Sequence, residues 1–131
     1  AVSGLINRLL PKLKVLKLDI AGVSRIPEEV EKYKNDPLIY QESIPARTGY
    51  EIYQMMQFIQ DKAEDFNLPF LLIHGDADRL TNPKGSELLA QKAKSMDKTF
   101  LTFPGGYHEL INDLDREKAM QVMVDWVEER I

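Results

Sequence analysis

"PFLLIHGDADRLTNPKGSELLAQKAKSMDKTFLTFPGGYH", running from Pro69 to His108, decides the fold. It opens with a short continuous apolar run ended by Gly75, the pattern of a strand buried on both faces. Asn82 followed by Pro83 supplies a helix cap and a first-turn proline, and Leu88, Leu89, Ala93 and Met96 continue an apolar side. "KTFLTF", Lys98 to Phe103, reads as a second strand, closed by "PGGYH". Beyond it, Asp115 is placed to cap a final helix whose Met120, Met123, Val124, Val127 and Ile131 share one side, with Trp126 at its margin. Strand, helix, strand, helix is the α/β alternation of a parallel sheet covered by helices. Two strands would leave exposed edges and too little covered surface, so further strands must come from elsewhere.

Upstream the pattern is helical and broken. In "VSGLINRLLPKLKVLKLDI" the residues Leu5, Ile6, Leu9, Leu10 and Leu13 recur at helical spacing, and Pro11 interrupts them, which predicts a short helix and then a less regular, extended piece. Asp19 to Ile26 reads as a loop. "PEEVEKYKNDP" predicts a brief polar helix starting at Pro27 and stopping before Pro37. A turn, "QESIPARTG", leads into "YEIYQMMQFIQDKAEDF", where Ile52, Met55, Met56, Ile59 and Ala63 form one apolar stripe on a helix. That stripe is either ordinary packing surface or the lining of an apolar pocket, and the adaptable Met side chain suits both.

The bulk properties narrow the classes. With 131 residues, 44% hydrophobic and 29% charged, the chain has the size and balance of one folded domain. A net charge of -4 gives no footprint for nucleic acid. The charge is uneven, because Arg8, Lys12, Lys14 and Lys17 are the only charged residues before Asp19. Leucines flanked by these cations permit shallow peripheral contact with an anionic membrane, or simply form a protein surface. No cysteine is present, so the fold does not depend on redox compartment and a cytoplasmic location is permitted. No apolar run is long enough to span a bilayer, and no secretory signal pattern is visible. "AVSGLINRLL" reads as helix already under way, as in a trimmed or fragmentary polypeptide.

Function in open α/β sheets gathers beyond the carboxyl ends of the strands. Asp76, Asp78 and Arg79 follow the first expected strand; Gly105, Gly106, Tyr107, His108 and Glu109 follow the second. Adjacent parallel strands bring the two loops side by side. An Asp can then accept Nδ1–H from a His and fix the ring so that Nε2 takes a proton. The competing reading makes Asp78 a turn cap and His108 a surface residue. His74 reads as a satisfied core or supporting histidine, and Asp76 as a turn former. A metal held by His74, Asp76, Asp78 and His108 is conceivable, but no HExxH and no Cys ligand supports it, and the expected metal is none. Paired-carboxylate glycosidase chemistry has weaker support still, and no GxGxxG or GxxxxGK[ST] points to phosphate binding.

The stretch from "NLPFLLIHGDADRLTNP" through "FPGGYHELINDLDREKAMQVMVDWVEERI" resembles the C-terminal part of α/β-hydrolases, most closely the monoacylglycerol lipase and lysophospholipase-like branch. "LLPKLKVLKLDI", "VSR" and "NDPLIY" resemble that branch's cap. The resemblance implies residues 1–65 as mostly helical cap and hinge, and residues 66–131 as the C-terminal part of the core, parallel strands flanked by helices. It implies Asp78 as catalytic acid and His108 as general base, in the α/β-hydrolase order. Ile52, Met55, Met56 and Ile59 would face or support an acyl pocket. The chain departs from the family in lacking any G-x-S-x-G; "AGVSRI" around Ser24 does not satisfy it, and Ser3, Ser43, Ser86 and Ser95 are poor nucleophile candidates. The nucleophile and oxyanion hole are therefore expected from a missing N-terminal half or a partner chain. The implied substrate is a lipid ester, no cofactor is needed, and the chain alone is expected to be inactive; a noncatalytic module docking on another polypeptide is the alternative.

Overall fold

The computed structural model describes residues 7–131, so Ser3, Leu5 and Ile6 of the expected first segment lie outside the described residues. Residues 7–9 are helical, the chain turns at Pro11, and the extended piece becomes β1 (Lys14–Leu16). There follow α1 (Pro27–Asn35), β2 (Ile44–Pro45), α2 (Ala46–Lys62), β3 (Phe70–Gly75), α3 (Pro83–Lys92), β4 (Lys98–Phe103) and α4 (Arg116–Glu128). A cap of helices and a small antiparallel β1–β2 pair thus precedes a core in which β3 and β4 run parallel, flanked by α3 and α4.

Local chemistry explains most boundaries. Pro27 starts α1, whose first turn carries Glu28 and Glu29 and whose last carries Lys32 and Lys34, matching the helix dipole at both ends. Asn82 caps α3 by accepting the Lys84 N–H at 3.0 Å, with Pro83 in the first turn. The register of β3 on β4 runs from Phe70 opposite Lys98 to Gly75 opposite Phe103, so both strands end at one level. Their following loops therefore start side by side.

Several expectations need correction. The "QESIPARTG" turn contains β2, and α2 begins at Ala46 rather than Tyr50, because Pro45 occupies the extended position before the first helical residue. Helix α3 ends at Lys92; Met96 does not continue its apolar side and is fully exposed, while Ala93 is buried. Asp115 precedes α4 but makes no side-chain cap, since its carboxylate is taken by Arg25. Strand β3 is only partly buried, except at Gly75, because a two-stranded sheet covers little of either face. The same shortage leaves Met120, Val124 and Val127 of α4 about half exposed and Ile131 almost fully so. The tightest cluster is small: Phe103, Leu110 and Ala119, with Ile73 packed against them. Among the described residues, no helix is long and apolar enough to cross a membrane.

Candidate functional site

The loop after β3 wraps the chain around one carboxylate. Asp78 is 1% exposed at its side chain, and Oδ1 accepts the backbone N–H groups of Leu80 (2.7 Å) and Thr81 (3.0 Å). Oδ2 accepts the Thr81 hydroxyl at 2.7 Å and lies 3.0 Å from His74 Nε2 and 2.9 Å from His108 Nδ1. Burial pushes this carboxyl's pKa up, but the hydrogen bonds from His108, from the Thr81 backbone and hydroxyl, and from Leu80 outweigh it and hold it well below the usual carboxylate range. Asp78 is thus an ionised acceptor at neutral pH. Both imidazole nitrogens that face it must therefore carry hydrogen.

His108 is thirty residues further along the chain and comes from the loop after β4. Its side chain is 37% exposed, and its Nε2 carries no hydrogen bond among the described residues. The two loops are zipped together by backbone: Asp76 N–H donates to Phe103 C=O, and Ala77 N–H to Gly106 C=O, both at 3.1 Å. The Asp76 side chain adds a third tie, accepting Gly105 N–H at 2.6 Å. This closeness requires Gly75, where a Cβ would lie 2.2 Å from Gly106 O and 2.6 Å from Tyr107 O. Gly105 in turn takes φ +70°, a left-handed conformation that suits glycine.

A third segment, invisible to the spacing of motifs, holds the histidine loop from the other side. His108 N–H donates to Gly22 C=O (3.4 Å) and Glu109 N–H to Val23 C=O (2.9 Å). Asp113, fully buried, accepts Tyr107 N–H at 2.9 Å and both Arg25 N–H and Arg25 Nε–H at 2.8 Å. Burial raises the Asp113 carboxyl's pKa, and the Tyr107 and Arg25 bonds more than reverse this, leaving it below the ordinary range. Arg25 also reaches Asp115 at 2.7 Å, and its own pKa is raised, chiefly by that bond. Ser24 donates its hydroxyl to Asn112 C=O at 2.7 Å, which is a structural use. The loop after β3 joins in: Arg79 lies 3.4 Å from Asp19 and stacks 5.1 Å over the Tyr107 ring.

The structure brings Asp78 and His108 together and places His74 Nε2 against the same carboxylate oxygen, whereas Asp76 ties the two loops through its backbone N–H and its carboxylate. No cluster of three or more His, Cys, Asp or Glu side chains placed to hold a metal occurs among the described residues. Of the four α2 residues expected at an acyl pocket, Met56 and Ile59 line a cleft of about 200 Å³ with Ala63, Ser86, Leu88 and Leu89; Ile52 and Met55 do not line it. Met56 also borders a second opening of about 450 Å³ that includes His74 and Thr81. The residues that sequence reasoning missed are Thr81, Ser86, Arg25 and Asp113. Thr81 is the most readable of them, since an Asp side chain commonly organises a turn by accepting the backbone N–H groups just after it.

An ionised, buried Asp78 thus holds His108 at the carboxyl ends of two neighbouring parallel strands. Residues 1–115 match the family model described as "Serine aminopeptidase, S33" (Hydrolase_4), and the chain belongs to this α/β-hydrolase family of serine hydrolases. Within it, the chain is 33% identical over 127 residues to the "Monoacylglycerol lipase" of Mycolicibacterium smegmatis, covering 97% of this chain and 45% of that protein. It is 36% identical over 109 residues to the human "Monoglyceride lipase", covering 83% and 36% respectively. The crystal structure of the Paleococcus ferrophilus monoacylglycerol lipase superposes with a TM-score of 0.86 at 33% identity, over 95% of this chain and 49% of that one. The chain spans less than half the length of each of these relatives.

Proposed function

We propose that this chain supplies the acid and base of a serine ester hydrolase acting on monoacylglycerols or related single-chain lipid esters. The observation that carries the reading is the 2.9 Å contact between His108 Nδ1 and the buried, ionised Asp78. Asp78 fixes the tautomer and ring orientation of His108, leaving Nε2 to work as general base. A serine hydroxyl supplied by a segment that carries G-x-S-x-G attacks the ester carbonyl, and His108 takes its proton. The acyl-enzyme forms as His108 returns that proton to the departing glycerol or alcohol. Water then attacks with His108 again as base, releasing fatty acid and regenerating the serine. Within the 131 residues no G-x-S-x-G exists, so the chain alone is inactive in this reading. The substrate class rests on the names of the relatives and on the apolar cleft beside Met56 and Ile59, with residues 1–65 acting as cap and residues 66–131 as core.

The test is turnover of a monoacylglycerol by the chain combined with the nucleophile-bearing segment, with and without His108→Ala. Removal of a triad base lowers kcat by several powers of ten, roughly 10⁴ or more. Full activity in H108A defeats the assignment. Substantial turnover by the 131-residue chain alone defeats the division of labour. Stable assembly without any turnover favours a noncatalytic docking module instead.

Peripheral membrane contact belongs to the same reading. Leu9, Leu10 and Leu13 are about half exposed or more, beside exposed Lys12 and Lys14. Such a surface inserts shallowly and attracts anionic headgroups. Co-sedimentation with anionic vesicles at low salt checks it, and no sedimentation under those conditions counts against it.

A further inference from the structure

The Asp78 carboxylate is shared by two imidazoles, and the hydrolase reading uses only one. His74, on β3, is 13% exposed at its side chain; its Nε2 lies 3.0 Å from Asp78 Oδ2 and its Nδ1 lies 2.7 Å from Ser86 Oγ on α3. We propose that His74 is a positioning residue for the Asp78–His108 pair, and that the Ser86 hydroxyl holds it in the tautomer that does this. The proposal rests on the hydrolase reading for its importance to turnover, but its geometry is independent of it.

A neutral imidazole has one donor and one acceptor. Facing a carboxylate, Nε2 must be the donor, because a lone pair there would oppose the oxygen across 3.0 Å. Nδ1 is then the acceptor, and Ser86, whose hydroxyl hydrogen rotates freely, donates to it. With His74 neutral, each partner in the chain Ser86, His74, Asp78, His108 thus has its donor and acceptor assigned. His74 sits in a strand and Ser86 in a helix, two rigid elements, whereas Asp78, Thr81 and His108 sit on loops. Of the donors on Oδ2, only His74 ties the carboxylate to the sheet itself. Without it, Oδ2 retains the Thr81 hydroxyl and His108, both borne by the loops they are meant to orient. The prediction is that the carboxylate, still held at Oδ1 by the Leu80 and Thr81 N–H groups, then loses its tie to the sheet and His108 loses part of its alignment.

The test uses the chain combined with the nucleophile-bearing segment, in four forms: parent, His74→Leu, His74→Gln and Ser86→Ala. The readouts are kcat, KM and the ring Nδ1–H proton resonance of His108. H74L removes the donor with little change of volume. The loss of one hydrogen bond to a charged group that positions the base is expected to lower kcat about 10- to 100-fold, with KM changed less than about twofold, and to broaden the His108 resonance. Glutamine offers an amide N–H to Asp78 and a carbonyl to Ser86, so H74Q recovers most of both signals. S86A gives a smaller loss in the same direction. Parent-like kcat and resonance in H74L overturn the proposal, as does equal impairment in H74L and H74Q, which is the mark of packing alone. If H74L does not fold, an S86A form indistinguishable from the parent overturns it. An assembly with no ester turnover defeats the hydrolase reading, and the His108 resonance still decides the positioning role.

Discussion

Asp113 tests whether the root of the cap holds the histidine loop. In Asp113→Ala two backbone donors, Tyr107 N–H and Arg25 N–H, lose the acceptor that the fully buried Asp113 side chain gives them. Each orphaned buried N–H costs about 1–3 kcal/mol. The Arg25 guanidinium loses one of its two carboxylates, but its side chain is 21% exposed and Asp115 remains at 2.7 Å, so it is not left uncompensated. The expected loss from the two orphaned donors together is about 2–6 kcal/mol. Arg25→Ala is the instructive control. It leaves Asp113 with both backbone donors, because the Arg25 N–H belongs to the main chain, but strips the fully buried carboxylate of its cation, and so is also expected to cost about 3–5 kcal/mol.

The assay is urea unfolding at pH 7, followed by circular dichroism and by the fluorescence of Trp126, with slopes compared to confirm that stability alone has changed. Both variants must lose stability, D113A through the backbone donors and R25A through the unpaired carboxylate. A D113A loss below about 1 kcal/mol refutes the claim that the orphaned backbone donors are costly. Acid adds a second check. The Asp113 carboxyl has a folded pKa below its unfolded value, so its stabilisation is present above about pH 4 and is lost as pH falls through the lower, folded value. The gap between parent and D113A should therefore shrink below about pH 4. A gap that widens there contradicts the assigned charge.

Three further outcomes follow from the same geometry. Gly75→Ala drives a methyl to 2.2 Å from a backbone oxygen and should cost at least roughly 1–3 kcal/mol in a thermal or urea melt, with loss of the His108 ring resonance; a parent-like protein contradicts the close approach. Asn82→Ala removes the single side-chain cap of α3 and should cost about 1 kcal/mol, without changing the His108 resonance. Thr81→Val deletes a hydroxyl donor to the buried Asp78 and should cost about 1–2 kcal/mol at neutral pH. Because the Asp78 pKa is depressed in the fold, that difference exists above about pH 4 and closes as the carboxyl protonates below it; a difference constant with pH would assign the loss to packing.

The core was legible because its signals are local. The apolar run ending in Gly75, the Asn82–Pro83 start and the "KTFLTF" run each encode their element within a few residues, and β4 spans Lys98–Phe103 as read. Parallel pairing then follows from the alternation, and with it the nearness of Asp78 to His108. The cap was harder to read. A two-residue strand such as Ile44–Pro45 is too short to show any period, and its pairing with Lys14–Leu16 is set by a segment about thirty residues away. The apolar stripes were recognised but not their exposure, since a stripe reports that a face can be covered and not how many strands stand ready to cover it.

What no local pattern reveals is the joint between cap and base. Ser24 and Arg25 meet Asn112 and Asp113 across 88 sequence positions, and neither end carries a spacing that predicts the other. Yet this joint is the second anchor of the histidine loop, opposite its ties to Asp76 and Ala77. Strand β4 fixes where the loop begins, and the ties to Asp76 and Ala77 hold it on one side through Gly105 and Gly106. The main-chain bonds to Gly22 and Val23, with the Asp113 clamp on Tyr107, hold it on the other. A cap rooted in the same residues that hold His108 cannot shift at its root without straining that loop. Displacement of the cap and misalignment of the Asp78–His108 pair should therefore appear together, so D113A, made to weaken the root, should broaden the His108 ring resonance under conditions where the chain remains folded.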